Sequence, residues 1–383
     1  MRIAFIASSL EPDRDGVGDY TRHLAAECIR QGHESIILGL NDTAVLGRLF
    51  ESQESEGTPV SVQRLSAALP WSERAALARM WLDDFNPDWV SLQFVCFGFH
   101  PKGLPWRLAK PLKHIIDGKP VQFMFHELWV GCRAKAKLKL RLWGALQRWV
   151  VLDCHRALRP CVTQTSNTTL AKLLSRHGIE AKILPLFSHI PVRAPSGWLD
   201  SELIRLQIKR DEGHPWVLLG IFGAIHAEWS ANGWLDYLVD RAAGQGKRVA
   251  LLGIGKVSPV ALERFRTACQ RDQRVFGYHF GPQSAERISD FLHLIDIGLP
   301  TIEHSFLGKS SGAAAMAEHG VPLLVTRIDD EADRANAQLR ILRDIDHFLA
   351  QAGQPRIAGP TLLKSAAKSM LVELCMESRN RCE

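Results

Sequence analysis

The chain has 383 residues, enough for two domains with separate cores at roughly 100–200 residues per domain. Hydrophobic residues make up 46% and charged residues 23%, which excludes a disordered chain and a small disulfide-held scaffold. A formal charge of +6 suits an anionic small ligand or an anionic membrane surface; cations are not spread among aromatics along the chain, which argues against nucleic acid.

Eight cysteines without a Cys-x-x-Cys pair match neither a zinc site nor a disulfide framework, so they read as reduced thiols. The apolar start is short and runs into Glu11, Asp13 and Asp15, and no run of about 18 apolar residues follows. The expectation is a cytoplasmic protein.

In chain order, short runs rich in Val, Ile and Leu alternate with helical patterns, the rhythm of parallel strands joined by crossover helices. Strands are predicted at 2–8, 34–40, 89–95, 121–125, 161–165 and 182–186, and then at 216–222, 248–253, 275–280, 295–299 and 322–326. A helix at 20–31 stops at Gly32. Pro191 and Pro195, in a stretch without period, mark a linker at 187–195. The expected organisation is an N-terminal domain over 1–188, a second over 196–360 and a terminal helix over 361–383, both domains α/β and doubly wound.

Several segments carry chemistry. Asp15-Gly16-Val17-Gly18-Asp19 lies between the first strand and helix, where glycine lets a ligand approach free helix N–H groups. Without a third glycine it reads equally as a tight turn. His126 and Glu127 end a strand, the place where open α/β sheets gather ligands; a structural histidine and a helix cap are the alternatives. Asp19 reads as a general base or as a helix-terminal charge. Leu307-Gly308-Lys309-Ser310-Ser311-Gly312 opens an alanine-rich helix and forms either a phosphate cradle or a serine cap beside a solvated lysine.

The stretch 133–151 sets Arg133, Lys135, Lys137, Lys139, Arg141 and Arg148 among Leu138, Leu142, Trp143, Leu146 and Trp149. Its cations fall on two sectors of a helical wheel. It therefore reads first as a packed helix with snorkelling lysines, and second as a helix at an anionic membrane interface.

Taken together, the opening strand and Gly-Val-Gly loop, Phe125-His126-Glu127-Leu128-Trp129, Cys161-Val162-Thr163-Gln164-Thr165-Ser166, Leu252-Gly253-Ile254-Gly255, Asp296-Ile297-Gly298-Leu299-Pro300-Thr301 and Ala315-Met316-Ala317-Glu318-His319-Gly320-Val321-Pro322 resemble the GT-B glycosyltransferases, especially retaining glycosyltransferase family four. The resemblance implies two Rossmann-like domains facing a cleft, with the terminal helix returning to the N-terminal domain. It also implies metal-independent sugar transfer, with no cofactor beyond a nucleotide sugar as substrate, to a sugar, lipid or small-molecule acceptor. The cleft would be lined by Gly16, Gly18, His126, Gly223, Lys309 and Ser310. His126, Glu127 and Asp19 are the implied catalytic candidates; Gly16, Val17 and Gly18 form the acceptor-side loop. Donor-binding candidates are Gly223, His226, Glu228, Lys256, Glu303, Lys309, Ser310 and Ser311.

Two departures stand out. Gly223-Ala224-Ile225-His226-Ala227-Glu228-Trp229-Ser230 lacks the family's arginine and lysine for the donor diphosphate. The helix expected to carry the second of two family glutamates reads Gly312-Ala313-Ala314-Ala315-Met316, and Glu303 is out of register with the first. A non-catalytic sugar-nucleotide or glycan binder and a nucleotide-sugar epimerase are the alternatives to a glycosyltransferase.

Overall fold

The computed structural model describes residues 1–12, 14–132, 137–209, 216–327 and 334–381. The chain forms two compact units, Met1–Pro185 with Leu363–Glu383, and Leu186–Leu362.

The first unit is built on eight strands: β1 (Arg2–Ala7), β2 (Glu34–Asp42), β3 (Arg48–Ser55), β4 (Thr58–Ser66), β5 (Trp89–Phe94), β6 (Val121–Phe125), β7 (Val162–Thr165) and β8 (Lys182–Ile183). Their order is β3-β4-β2-β1-β5-β6-β7-β8, and every pair is parallel except β3 with β4. Ile3, Ala4, Phe5, Ile6 and Ala7 are fully buried, as a parallel strand covered on both faces demands. The first helix, Gly16–Arg30, starts four residues before the expected one because Asp15 caps it.

The β3–β4 hairpin is absent from the expected elements. Arg48-Leu49-Phe50-Glu51-Ser52-Gln53-Glu54-Ser55 has no clean apolar period, but Glu56 and Gly57 take φ of 48° and 76° between the paired Ser55 and Thr58, the geometry of a two-residue hairpin turn. Polar side chains then hold it in place. Arg64 pairs with Asp42 (2.8 Å), Glu51 (3.1 Å) and Glu11, while Gln53 donates to the Leu10 carbonyl at 3.0 Å.

The terminal helix Leu362–Asn380 packs on this unit through Leu363, Ala366, Met370, Leu371 and Leu374. Trp89 Nε1 donates to Ser378 Oγ at 2.9 Å, and Lys182 pairs with Glu373.

The second unit has four parallel strands, β9 (Trp216–Phe222), β10 (Arg248–Ile254), β11 (Val275–His279) and β12 (Ile297–Gly298), in the order β11-β10-β9-β12. Val217, Leu219 and Ile221 face one core with Leu238 and Phe265, whereas Trp216 and Leu218 face another with Phe291 and Met316, the period of two that a covered sheet requires. The strand expected at 322–326 is reduced to a bridge between Gly298 and Leu323. Pro322 and Pro300 flank that bridge and lack the N–H groups that would extend it. The stretch 187–195, expected as a linker, is tied into this unit: the N–H of Ser188 donates to Glu318 and that of Arg193 to Ser289 Oγ, both at 3.2 Å. Among the described residues, no helix is long and apolar enough to cross a membrane.

Candidate active site

In the first sheet the strand order reverses between β1 and β5, and ligands of open α/β sheets bind beyond the strand ends at such a point. After β1 the chain turns tightly: a Cβ on Gly18 would lie 2.6 Å from the Ser9 carbonyl oxygen, so only glycine fits. The amides expected to face a ligand have another partner. Val17 and Gly18 N–H both donate to Asp15 Oδ1 at 2.9 Å, so the loop is closed by its own carboxylate, while Gly16 remains exposed. Burial pushes the Asp15 carboxyl up, against those two hydrogen bonds. Asp19, expected as a base, accepts from Arg22 Nη1 at 2.9 Å; both side chains are buried, and Arg22 Nε donates to Gln53 at 2.7 Å.

His126 follows β6. Its N–H donates to the Phe94 carbonyl at 3.2 Å, its ring meets Tyr20 edge-on at 4.8 Å, and Nε2 lies 2.8 Å from Gln93 Oε1. Behind it runs a buried row of neutral polar groups. Gln93 Nε2 donates to Ser91 Oγ (2.7 Å), Ser91 Oγ to Gln122 Oε1 (2.5 Å), and Gln122 Nε2 to Gln164 Oε1 (2.8 Å). Since the Gln93 amide nitrogen is committed to Ser91, its oxygen accepts, and His126 carries its proton on Nε2. Ser91, Gln93, Gln122 and Gln164 were not among the expected site residues. The signal is the polar pair Ser91 and Gln93 at i and i+2 on β5 and the single glutamines Gln122 and Gln164 on the neighbouring strands β6 and β7. Glu127, next to His126 in the chain, is half-buried.

In the second sheet the order reverses between β9 and β12, and the loops after these two strands hold most of the expected donor-side residues. Gly223 leaves β9 with φ of 79°, a left-handed turn that glycine makes without strain. Thr301, beyond β12, joins the loops: its Oγ1 accepts from His226 N–H at 3.1 Å and donates to the Ala224 carbonyl at 2.8 Å. Glu228 N–H donates to His226 Nδ1 at 3.2 Å, which places that ring's proton on Nε2.

Arg327, a residue missing from the sequence reading, contacts both expected glutamates, Glu228 at 2.5 Å and Glu303 at 2.8 Å. It directly follows 322–326, expected from the sequence as a strand, and that position is the available signal. Glu303, out of register in sequence, thus joins Glu228 around one guanidinium. Beyond it, Ser310 Oγ accepts from Ala313 N–H at 3.1 Å and caps the Ser311–Glu318 helix. Lys309 is half-buried, Ser311 exposed, and Lys256 exposed just past β10.

Chains of known structure share this architecture. Anabaena Alr3699/HepE, solved with UDP and glucose, matches 98% of this chain and 100% of its own at 12% identity and a TM-score of 0.51. The catalytic domain of Arabidopsis thaliana starch synthase IV, solved with ADP and acarbose, matches 98% and 99% at 13% identity and a TM-score of 0.54. A glycosyltransferase of Rickettsia africae matches 98% and 93% at 13% identity and a TM-score of 0.51. The fold is GT-B.

No protein-family model matches the chain, and no curated protein matches it in sequence. On this GT-B frame, the described residues of the second unit line cavities of about 370 and 380 Å³. One is lined by Trp229, Asn232 and Arg271, the other by residues that begin β9, β10 and β11, including Trp216, Arg248 and Val275. Neither contains the converging residues after β9 and β12. Among the described residues, no group of three His, Cys, Asp or Glu side chains is placed to hold a metal.

Proposed function

We propose that this GT-B chain is a glycosyltransferase, resembling retaining family four, that moves a sugar from a nucleotide-sugar donor to a hydroxyl acceptor. The observation that carries this reading is the pair of loops flanking the β9/β12 reversal. Thr301 staples them together and Arg327 bridges Glu228 and Glu303, while Lys309, Ser310 and Ser311 follow on the same β12 side of the chain. Neighbours solved with UDP and with ADP support a nucleotide ligand on this fold.

In this reading the second unit binds the donor. Lys309 and the N-terminus of the Ser311–Glu318 helix supply positive charge to the diphosphate. Ser310 caps the helix through Oγ yet keeps its own O–H to donate to a phosphate oxygen. Gly223 and Lys256 border the donor, and Arg327 holds Glu228 and Glu303 in place toward the transferred sugar. His126, with Glu127 and Asp19 nearby in sequence and fold, serves the acceptor side. The bond from the anomeric carbon to the diphosphate oxygen breaks, the acceptor oxygen bonds that carbon, and the acceptor proton is taken up by a base. No metal or cofactor is assigned a role. Mass-spectrometric screening of nucleotide sugars against acceptors, with stereochemical analysis of the product, tests the reading.

A second reading, a sugar-nucleotide binder without turnover, is favoured by one observation. Ala313, Ala315 and Met316 are buried in the core, so the helix segment that would present the second family glutamate presents none. Donor binding without product across the acceptor panel would select it, and turnover of the donor without any acceptor would select an epimerase.

Lys309→Ala is expected to weaken nucleotide-sugar binding by roughly 10- to 150-fold, the value of one charge-assisted hydrogen bond at about 1.5–3 kcal/mol. Binding of the unphosphorylated nucleoside should change far less. Calorimetric titration of both ligands checks this, and equal affinity of variant and parent for the nucleotide sugar would make the lysine a surface charge only.

A further inference from the structure

The Leu138–Leu158 helix turns an apolar stripe away from the protein. Leu138, Leu142, Ala145, Leu146 and Trp149 stand at i, i+4, i+7, i+8 and i+11, one face of the helical period. Leu138, Leu142, Leu146 and Trp149 are 70%, 63%, 46% and 57% exposed. This is not the face that holds the helix in place. Gly144, Gln147, Val150, Val151 and Cys154 are buried on the other side. There Gln147 accepts from Val130 N–H at 2.9 Å and donates to the Lys102 carbonyl at 3.0 Å, and Trp143 Nε1 donates to the same carbonyl at 3.1 Å. Trp106, 49% exposed, sets its ring 5.6 Å from Trp149 and widens the stripe.

The helix is packed through that buried face, as its first reading expects, but the leucines of the opposite face are not covered by lysine stems and face water. Arg133 and Lys135 lie outside the described residues. Of the remaining cations, exposed Lys139 flanks one side of the stripe, and Arg141 and Arg148 the other, with exposed Lys102 and Arg107 beside Trp106. No acidic residue occurs from 101 to 116 or from 137 to 152.

We propose that this face seats the protein on an anionic lipid bilayer, with the leucines and the two tryptophans entering the headgroup boundary and the flanking cations meeting lipid phosphates. Charge complementarity selects this occupant. A second copy docked through the same stripe would bring like cations together across a two-fold axis, whereas an anionic surface neutralises them. The proposal stands apart from sugar transfer and is tested without it.

The probe is co-sedimentation with phosphatidylcholine vesicles, with and without phosphatidylglycerol, at low and high salt. The full chain is expected to pellet with the phosphatidylglycerol vesicles at low salt and to be released by salt. Lys139→Gln with Arg141→Gln should weaken binding about 25-fold, about fivefold for each charge. Leu142→Ser with Leu146→Ser should weaken it at least about tenfold. All four positions are exposed or partly so, and an unchanged thermal transition would show that each variant is folded. Failure of the folded parent to bind, or equal binding to both vesicle types, would overturn the proposal. So would a dimer in sedimentation equilibrium that Leu142→Ser dissociates while vesicles stay unbound.

Discussion

Replacing His126 with alanine is expected to lower the rate of sugar transfer by about 10²- to 10⁴-fold, the range for a group that handles a proton in the transition state, with donor affinity nearly unchanged. The split follows from placement: His126 ends β6 in the first unit, and the groups assigned to the diphosphate belong to the second. Gln93 acts on His126 as a positioning residue, because its oxygen accepts at 2.8 Å from Nε2. Gln93→Leu should lower kcat with little change in KM. Gln93→Glu should keep the hydrogen bond, restore part of the rate and move the pH profile upward, since a carboxylate favours the charged imidazole. Steady-state kinetics over pH, with binding measured separately, checks all three variants. Loss of donor affinity with transfer intact would remove His126 from the chemistry.

Arg64→Ala should be the most destabilising single change, at about 3–5 kcal/mol, a large part of the roughly 5–15 kcal/mol that holds a domain folded. The guanidinium pairs with Asp42, Glu11 and Glu51, and Asp42 is fully buried, so removing the cation leaves a buried carboxylate without its counter-charge. Burial by itself would raise the Asp42 carboxyl, but the Arg64 hydrogen bond and the N–H groups of Ala44 and Leu10 hold it below its ordinary value. The parent therefore has the full contribution of this pair above the unfolded value of about 3.9 and loses it as pH falls through the lower folded value. In Arg64→Ala the burial remains and the opposing hydrogen bond does not. Asp42 should then be driven upward, and the variant should regain part of its deficit on mild acidification. Denaturant unfolding from about pH 7 to about pH 4 measures both limbs. An Arg64→Ala midpoint equal to that of the parent at neutral pH would contradict the argument. The loop after β1 should loosen with it, since Leu10 N–H donates to Asp42 at 3.1 Å and Arg22 leans on Gln53 of the hairpin.

What the sequence determined by itself is the parallel α/β alternation and the strands that build it. β6 and β9 fall on the expected residues 121–125 and 216–222, because a parallel strand covered on both faces reads as a short, predominantly apolar run, broken in β6 only by Gln122. The residues that follow those strands, His126 and Gly223, are legible for the same reason.

Tertiary structure decided everything that depends on a partner distant in the chain. Arg327 meets Glu228 and Glu303 from 99 and 24 residues away, and no local pattern marks such a meeting. In the β3–β4 hairpin β4 buries Val60, Val62 and Leu65, but the edge strand β3 has no clean apolar period and is tied in through polar side chains, among them Glu51 to Arg64 and Gln53 to Leu10. The Val17 and Gly18 amides, by contrast, are taken by Asp15 two and three residues earlier, a helix cap that the sequence itself carries. The sequence sets leucines and tryptophans among cations over 133–151, but the face of the Leu138–Leu158 helix that binds Val130 and Lys102 is the one carrying Gln147. Periodicity says which residues share a face, and only the packing neighbours determine whether that face turns inward or toward solvent.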